Sequence, residues 1–387
     1  YCALILDHSS SSLRLPATLF GPGMELVESS VNCPVVVKKV TLGGPAQRAG
    51  LRPGDQIVEL NHLPAHNKPL GPDVWNESGQ APIAYQRQGE SRLRQGLLKA
   101  EALHPDTVLG VVRLADNSWD YWLDAEHRIA HIRLGNLEHE TVSDLNQVLA
   151  HLQAEHVAGL ILDLRWCPGG FLNESRVIAD IFVGEYNFAY FVLPTPNDFA
   201  SRADPYLDNH CENAAVRYRD GRLDARARTP GTGFPLVPMV VLVNGESSGG
   251  AELIAAVLQD NHRARIMGQR SKGKASVQAI LDLLTEADLM LSYRIEAKLK
   301  ISSGLIVRPS GKNLNRFPDS RPQDAWGVQP DRGLEYRISP ELTRQLATWW
   351  QWQDLRPGNS NESLPLDNPA ADPQRQAALR LLLQNLH

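Results

Sequence analysis

Two serines, a lysine and a glutamine follow one another in the second half of the chain, and together they could perform nucleophilic catalysis. Ser247 and Ser248 lie in the polar turn Asn244–Gly250, and Lys274 and Gln278 come after it. A serine hydroxyl can attack a carbonyl when a nearby base takes its proton and a third polar group orients that base. These residue types therefore suggest a nucleophile, a base and an orienting amide.

The elements that must position these side chains can be inferred from the surrounding pattern. The apolar run 237–243 predicts a strand buried on both faces, and a helix with apolar periodicity is predicted to begin near Ala251. Backbone N–H groups at the start of a helix favour a developing negative charge. If the segment after Lys274 is extended, Lys274, Ser276 and Gln278 share one face, because side chains alternate along a strand.

A second glycine-rich turn follows another predicted buried strand. The apolar run 160–164 leads directly into RWCPGG at 165–170. Two consecutive glycines after a strand let the backbone approach a substrate closely. Cys167 beside such a turn could itself be a nucleophile, but no histidine is placed to activate it. A packed, inert thiol is therefore the expectation for Cys167.

Two other interpretations of the serine turn remain open. The segment GESSG at 245–249 matches the G-x-S-x-G elbow of α/β hydrolases, with Ser247 as the nucleophile. That fold needs an acid and then a histidine downstream, yet His262 is too close and His387 is the last residue. Alternatively, the serines only cap the helix that follows. Capping alone leaves the downstream lysine and the glycine pair of the other turn unexplained.

Several separate segments, taken in order, resemble one family of enzymes. They are LDHSS near the start, GPAQRAGLRPGDQIVELN in the first third, LILDLRWCPGGFLN in the middle, the serine–lysine stretch, RPSGK at 308–312 and GVQPD at 327–331. In these segments the chain is similar to the C-terminal processing (tail-specific) peptidases, which are serine endopeptidases with a Ser–Lys dyad. The resemblance covers most of the chain.

The resemblance implies the α/β fold class, with a crotonase/Clp-protease-like peptidase core and a preceding, mostly β PDZ domain. The implied segments are 1–17 as a linker from a missing N-terminal region, 18–102 as the PDZ domain, 103–345 as the Ser–Lys peptidase core, and 346–387 as a C-terminal linker and helix. Turn and strand chemistry over 43–60 independently favours a small β domain.

The resemblance also assigns the catalytic residues. In the family the nucleophilic serine lies three residues before a glutamate, and counting back from Glu252 places that register on Gly249. We take Ser248, one residue earlier, as the nucleophile. Lys274 matches the family's base and Gln278 its amide partner. A lysine works as a base where burial favours its neutral form, so we expect an apolar pocket around Lys274.

The family's oxyanion hole corresponds to the backbone N–H of Gly169, and Gly249 would supply a second donor directly after the proposed nucleophile. We interpret Glu252 as a residue that favours the helix start rather than as a catalytic acid. If Ser248 cannot take the nucleophile's place, the alternative is a catalytically dead pseudo-peptidase that binds peptides.

The segment LFGPGMEL at 19–26 resembles the PDZ loop that holds the terminal carboxylate of a peptide. Gly21, Gly23 and Met24 are the candidate peptide-binding residues, and the peptide would add as a strand to the sheet edge. Pro22 removes one N–H donor from this loop. We therefore expect protein or peptide substrates with apolar C-terminal tails. A PDZ domain that only positions or regulates is the alternative.

Composition restricts the remaining classes of function. The chain has 387 residues, 42% of them hydrophobic, and a net charge of -5, so it can form two domains and gives no reason to expect nucleic acid. No apolar run is long enough for a membrane span. The four cysteines form neither a disulfide framework nor a zinc pattern. His127 and His131 have helical metal-ligand spacing but lie in a predicted strand, so neither metal nor cofactor is expected.

The chain begins with Tyr1 rather than methionine, and we expect it to be a fragment whose start is missing. Because the resembling family is exported, the implied location is extracytoplasmic, either periplasmic or outside the cell. A homo-oligomer is one further option for its assembly.

Overall fold

The computed structural model of the protein describes most of the chain. The described residues are 2–7, 19–26, 35–41, 43–65, 79–87, 89–103, 106–183, 215–218, 223–224, 234, 236–283, 296–356, 360 and 363–386. Of the predicted linker 1–17, Tyr1 and residues 8–17 lie outside this set.

The described residues form mostly strands in the first third of the chain, and strands and helices together after it. The strands, numbered in chain order, are β1 (Cys2–Asp7), β2 (Leu19–Gly21), β3 (Met24–Leu26), β4 (Val35–Val40), β5 (Gln56–Leu60), β6 (Leu63–Pro64), β7 (Gln80–Gln86), β8 (Leu93–Lys99), β9 (Glu101–Leu103), β10 (Val108–Leu109), β11 (Val112–Arg113), β12 (Trp119–Asp120), β13 (Trp122–Asp124), β14 (Ile129–Leu134), β15 (Gly159–Asp163), β16 (Ala215–Tyr218), β17 (Leu223–Asp224), β18 (Met239–Val243), β19 (Arg265–Gly268), β20 (Ser276–Leu283) and β21 (Glu296–Val307). The α-helices are α1 (Pro45–Arg48), α2 (Thr141–Ala154), α3 (Leu172–Val183), α4 (Gly250–Asp260), α5 (Pro340–Leu355) and α6 (Pro373–Gln384).

A mainly parallel sheet forms the centre of the larger unit. Its strand order is β10-β14-β15-β18-β19, with β13 also paired to β14, and β14, β15, β18 and β19 run parallel. Every residue of β14, β15 and β18 is buried, as expected for parallel strands covered on both faces. The strands predicted at 160–164 and 237–243 are therefore confirmed, with small shifts at their ends.

Helices cover both faces of this sheet, because successive strand residues point to opposite sides. Leu160 and Leu162 belong to the main core, which includes the apolar residues of α2, α3 and α4. Ile161 lies on the other face, where Ala378 and Leu382 of α6 pack. The predicted C-terminal helix thus docks its apolar face on the core of its own chain.

A separate, mostly β unit precedes this core, as predicted. Its sheet has the order β3-β4-β5-β7-β8, with β6 paired to β5, and β2 pairs with β9 beside it. Val37, Ile57, Ile83 and Leu98 are among the residues of its own apolar core. The fold class predicted from the sequence, a β domain ahead of an α/β core, is confirmed.

A third sheet and helix α5 connect distant parts of the chain. The sheet has the order β1-β21-β16-β17, with β20 also paired to β21. The segment Cys2–Asp7, expected to be linker, is instead a strand because it pairs antiparallel with the long β21. Helix α5 is capped by Ser339, whose hydroxyl accepts from the N–H of Leu342. At its other end the carbonyl of Leu355 accepts a hydrogen bond from Gln47 of the β unit at 2.9 Å.

Candidate active site

The side chain of Asn244 links the turn between β18 and α4 to the RWCPGG turn by hydrogen bonds. Its Oδ1 accepts hydrogen bonds from the backbone N–H groups of Trp166 (3.1 Å), Glu246 (3.0 Å) and Ser247 (3.2 Å). Trp166 has φ +58°, a conformation that a tryptophan rarely adopts, so this bond holds a strained residue in place. The two glycine-rich turns therefore meet at the carboxyl ends of β15 and β18.

Ser247 is fully buried, and its hydroxyl is already used within the turn. Its Oγ donates to the carbonyl of Leu164 at 2.8 Å and accepts from the N–H of Asn244 at 2.9 Å. These bonds explain the serine as a structural residue of the turn. The interpretation of Ser247 as the nucleophile of an α/β-hydrolase elbow is not supported.

Ser248 lies next in the turn and is only 4% exposed. Its Oγ donates to the carbonyl of Pro168 at 2.9 Å, and its N–H donates to the carbonyl of Cys167 at 3.0 Å. No hydrogen bond joins the side chains of Ser248 and Lys274, both of which belong to the described residues. The thiol of Cys167 is fully buried, as expected for a packed cysteine.

Gly249 occupies the N-cap of α4 with φ 57° and ψ −117°, a conformation that favours glycine. A Cβ at this position would lie 3.5 Å from the carbonyl oxygen of Pro168 and 3.9 Å from that of Lys274, which are ordinary contact distances. The position that corresponds to the family's nucleophile therefore has space for a side chain, although its positive φ would strain any residue other than glycine. The N–H of Gly249 donates to Glu252 Oε2 at 3.1 Å, so this predicted oxyanion donor is engaged in the present structure.

Gly169 is required by the close approach of the two turns. It has φ +87°, and a Cβ there would lie 2.6 Å from the nitrogen of Gly250 and 2.7 Å from the carbonyl oxygen of Ser248. Its own carbonyl accepts from the N–H of Leu137 at 3.1 Å. Within the described residues, the N–H of Gly169 finds no acceptor. The residue itself is buried, so a ligand could reach this predicted oxyanion donor only by entering between the two turns.

The fully buried carboxylate of Glu252 joins the serine turn to the lysine loop. Besides Gly249, it accepts hydrogen bonds from the hydroxyl of Ser271 (2.5 Å) and the backbone N–H groups of Gly273 (2.6 Å) and Lys274 (2.8 Å). Burial raises the pKa of the Glu252 carboxyl, and these donors oppose that shift. The sequence indicated only a helix-start residue here, and it gave no sign of this connection.

Lys274 contacts the site through its backbone N–H, which donates to Glu252, and not through a buried amine. The residue is exposed, so the prediction of an apolar pocket around it is wrong for this conformation. Strand β20 begins two residues later at Ser276, and half-buried Gln278 follows in the same strand, paired in register with Ser302. The structure thus places Lys274 beside Gly249 and Gln278 further along β20, without a Lys274–Ser248 contact.

A buried ionic network lies directly behind the RWCPGG turn. The guanidinium of Arg165 contacts Asp163 and Asp372, both at 2.6 Å, and it also donates to Gln374 at 3.0 Å. His131 Nε2 lies 3.2 Å from the Asp163 carboxylate. Burial alone would raise the pKa of Asp163, but Arg165 and His131 outweigh it and hold that pKa well below its usual range. Asp372 caps α6, so the network ties the C-terminal helix to the site.

The predicted peptide-binding loop joins two strands of the β unit. Gly21 ends β2 and Met24 begins β3, while Pro22 provides no N–H. The carbonyl of Gly23 accepts a hydrogen bond from Thr41 at 2.8 Å. Strand β3 is the outermost strand of its sheet in the described part of the chain, which is where an added peptide strand would pair.

The two histidines with metal-ligand spacing have other partners. His127 contacts Asp124 at 3.0 Å, and His131 contacts Asp163. Across the described ranges, no group of three or more histidine, cysteine or acidic side chains could hold a metal ion. None of the helices described here is both long enough and apolar enough to cross a membrane.

Comparisons with known proteins identify the family. The chain belongs to peptidase family S41, whose family model matches residues 128–331, and a PDZ domain model matches residues 12–68. The resemblance to C-terminal processing peptidases is confirmed by this match.

Curated relatives agree with the family assignment. A carboxy-terminal-processing protease of Bartonella bacilliformis is 28% identical over 214 residues, which are 54% of this chain and 39% of the relative. The chloroplastic C-terminal processing peptidase of Tetradesmus obliquus is 24% identical over 333 residues, covering 83% of this chain and 61% of the relative. The chain thus spans from 39% to 61% of the length of these two relatives.

A solved structure supports the fold. It is a putative S41 protease from Bacteroides fragilis, 16% identical, with a TM-score of 0.51 over 94% of this chain and 85% of that one. At this level of identity the likeness concerns the fold alone.

Proposed function

We propose that this protein is a serine endopeptidase of family S41 that cleaves protein substrates through an acyl-enzyme formed on Ser248. The observation that carries the proposal is the junction of three parts at one place. The serine turn, the Gly169 turn and the loop that ends at Lys274 are held together through Asn244 and Glu252. Such a junction of nucleophile, oxyanion donor and base is what acyl transfer requires.

The proposed chemistry needs a local rearrangement. The Ser248 hydroxyl must leave the Pro168 carbonyl, and the exposed Lys274 amine must turn inward, where bound substrate would exclude water. Neutral Lys274 would then take the proton from Ser248 as its Oγ attacks the peptide carbonyl. Gln278 would orient the amine. Lys274 would next protonate the leaving amine, and water would release the acyl group.

Stabilisation of the oxyanion would begin with the N–H of Gly169. The N–H of Gly249 can join only after it leaves Glu252, its acceptor in the present conformation. Loss of one such donor costs on the order of 3 kcal/mol in transition-state stabilisation. No cofactor enters this mechanism.

For substrate selection, we propose that the PDZ domain binds apolar C-terminal tails at the edge of β3, using Gly21, Gly23 and Met24. The outermost position of β3 supports this role. The missing donor at Pro22 implies weak binding. The relatives are named for carboxyl-terminal processing, which agrees with tail recognition.

We further propose a division into a PDZ domain at 18–102 and a peptidase core from 103. The proposed boundary after residue 345 falls within α5, so a better position is after Leu355, where that helix ends. An extracytoplasmic location and a homo-oligomeric state remain proposals as well.

A second candidate function is peptide binding without cleavage, and one observation favours it. The position that corresponds to the family's nucleophile is the N-cap of α4, and this chain has Gly249 there instead of a serine, although the space would admit a side chain. In this alternative Ser248 stays bonded to Pro168, and the site holds a peptide by its backbone donors alone.

Cleavage of an unfolded protein substrate separates the two functions. We expect the wild type to cleave it and Lys274→Ala to lose that activity. Because Lys274 is exposed, its replacement should change the free energy of unfolding by no more than about 0.5 kcal/mol. Cleavage that survives in Lys274→Ala would refute the dyad, and an inactive wild type that still binds peptide would favour the second candidate.

A further inference from the structure

A polar cavity of about 790 Å³ lies at the end of α4 that is remote from the serine turn. It is lined by the C-terminal residues of that helix and by segments of the RPSGK and GVQPD motifs. At 1.5 Å per residue, the eleven residues of α4 place Asp260 in its wall about 16 Å from Gly249, whereas Gly327 on another side of the cavity lies close to Ser271. Its volume is in the range of sites that bind small molecules or short peptides.

The acidic groups in the cavity wall already have positively charged or N–H partners. Asp260 accepts from Arg308 Nη2 at 2.6 Å and Nε at 2.9 Å, and from the N–H of Ser310 at 3.0 Å. Asp331 accepts from the N–H of Ile266 at 2.9 Å, and Arg265 pairs with it at 3.3 Å. The side chains of Arg308 and Asp260 are only 4% and 7% exposed, so this part of the wall is preorganised.

The other polar groups of the cavity wall can bind a negatively charged ligand. Lys312 and Arg332 are exposed and form no ion pair with another described residue. The Oγ of Ser310 is buried and has no hydrogen-bond partner among the described residues. Two unneutralised cations and an unused hydroxyl donor can satisfy carboxylates, whereas no unneutralised acidic group remains to attract a cation.

Two arginines that lie against the indole of Trp326 add positive charge to the same wall. Arg270 lies over the ring at 3.9 Å from its centroid, and Arg316 lies at 4.7 Å. Arg270 also donates to the carbonyls of Pro322 and Asp324, both at 2.7 Å, which fixes its position. The positive potential therefore extends beyond Lys312 and Arg332.

We propose that this cavity binds an acidic peptide segment through its carboxylates, at a site separate from the catalytic turn and from the PDZ loop. Lys312 and Arg332 attract the carboxylates, and Ser310 donates a hydrogen bond to one of them. Electrostatic recognition of this kind depends on salt, because the two cations are exposed.

The test is a binding titration with a short fluorescent peptide rich in glutamate and blocked at both ends, followed by anisotropy. The blocked terminus removes recognition of a C-terminal carboxylate by the PDZ domain. We expect saturable binding that weakens as salt is added, and a loss of affinity of about tenfold in Lys312→Glu and in Arg332→Glu. Arg344→Glu makes the same charge change at an exposed position of α5, outside the cavity, and should bind as the wild type does.

Two comparisons decide the nature of the ligand. The matched glutamine peptide should not bind, and equal binding of the two peptides would overturn the proposal. Unchanged affinity in both charge-reversal variants would also overturn it. Free glutarate should compete only at much higher concentration than the peptide. Competition at equal concentration would assign the cavity to a small carboxylate instead and refute the peptide.

Discussion

Replacing Glu252 with glutamine should loosen the connection between the serine turn and the lysine loop. The Oε1 atom of Glu252 accepts from Ser271 and Gly273, while Oε2 accepts from Gly249 and Lys274. A glutamine keeps one acceptor oxygen and replaces the other with an NH₂ group, which cannot accept. The amide can place its oxygen toward Gly249 and Lys274 and its NH₂ group toward Ser271, whose hydroxyl can accept. The N–H of Gly273 would then face a donor in a fully buried position.

The magnitude follows from the number of donors left without an acceptor. An unsatisfied buried donor costs about 2 kcal/mol, so the single one at Gly273 should lower the free energy of unfolding by about 2 kcal/mol in Glu252→Gln. For a unit of this size, such a loss corresponds to a fall in Tm of about 6 °C. The amide of Gly273 should also lose protection from hydrogen exchange, because it depends on Oε1.

Urea unfolding and hydrogen exchange measure these two effects. Glu246→Gln is the matched control, since Glu246 lies in the same turn but is 60% exposed and pairs only with exposed Lys272. We expect the control to change stability by less than about 1 kcal/mol. A Glu252→Gln variant as stable as the control would show that the ionised carboxylate is not needed to hold these donors. The carboxyl would then be held as a neutral acid, the form that its burial favours.

Two further predictions concern the ionic network and the PDZ loop. Asp372→Asn removes a fully buried partner of Arg165 and should destabilise the protein by about 3–5 kcal/mol in urea unfolding; a loss below about 1 kcal/mol would refute the network's role. The folded-state pKa values of Asp163 and Asp372 lie below their unfolded values, so the stability that these carboxylates contribute is fully present above the unfolded pKa. This contribution should decline as the pH falls below about 4, and a free energy of unfolding that stays constant there would contradict the prediction. A labelled peptide with an apolar C-terminal tail should bind weakly and lose affinity when its terminus is amidated, whereas indifference to amidation would favour a purely structural PDZ domain.

Much of the architecture could be predicted because the signals are local. Buried parallel strands are continuous apolar runs, and the strands at 160–164 and 237–243 appeared where the pattern indicated. The helix predicted near Ala251 begins at Gly250 for the same reason, its apolar periodicity. The order of the motifs then identified the family, which fixes the topology that periodicity cannot give.

The parts that sequence reasoning missed depend on contacts between distant residues. The bonds from Glu252 to the loop 271–274 cannot be inferred from composition, and neither can the pairing of Arg165 with Asp372. The exposure of Lys274 is a further example, because its burial was inferred from the chemistry expected of it rather than from its neighbours. A strand at Cys2–Asp7 was missed because its partner β21 lies at the other end of the sequence.

The central claim, that Ser248 is the nucleophile of a Ser–Lys peptidase, is tested most directly with a fluorophosphonate probe and peptide mapping by mass spectrometry. We expect covalent labelling of the wild type at Ser248, and no labelling of Ser248→Ala or Lys274→Ala. The comparison variant is Gly249→Ser, since a side chain has room at that position. An unlabelled wild type, together with a Gly249→Ser variant labelled at position 249, would contradict the claim and leave a peptide-binding pseudo-peptidase as the function.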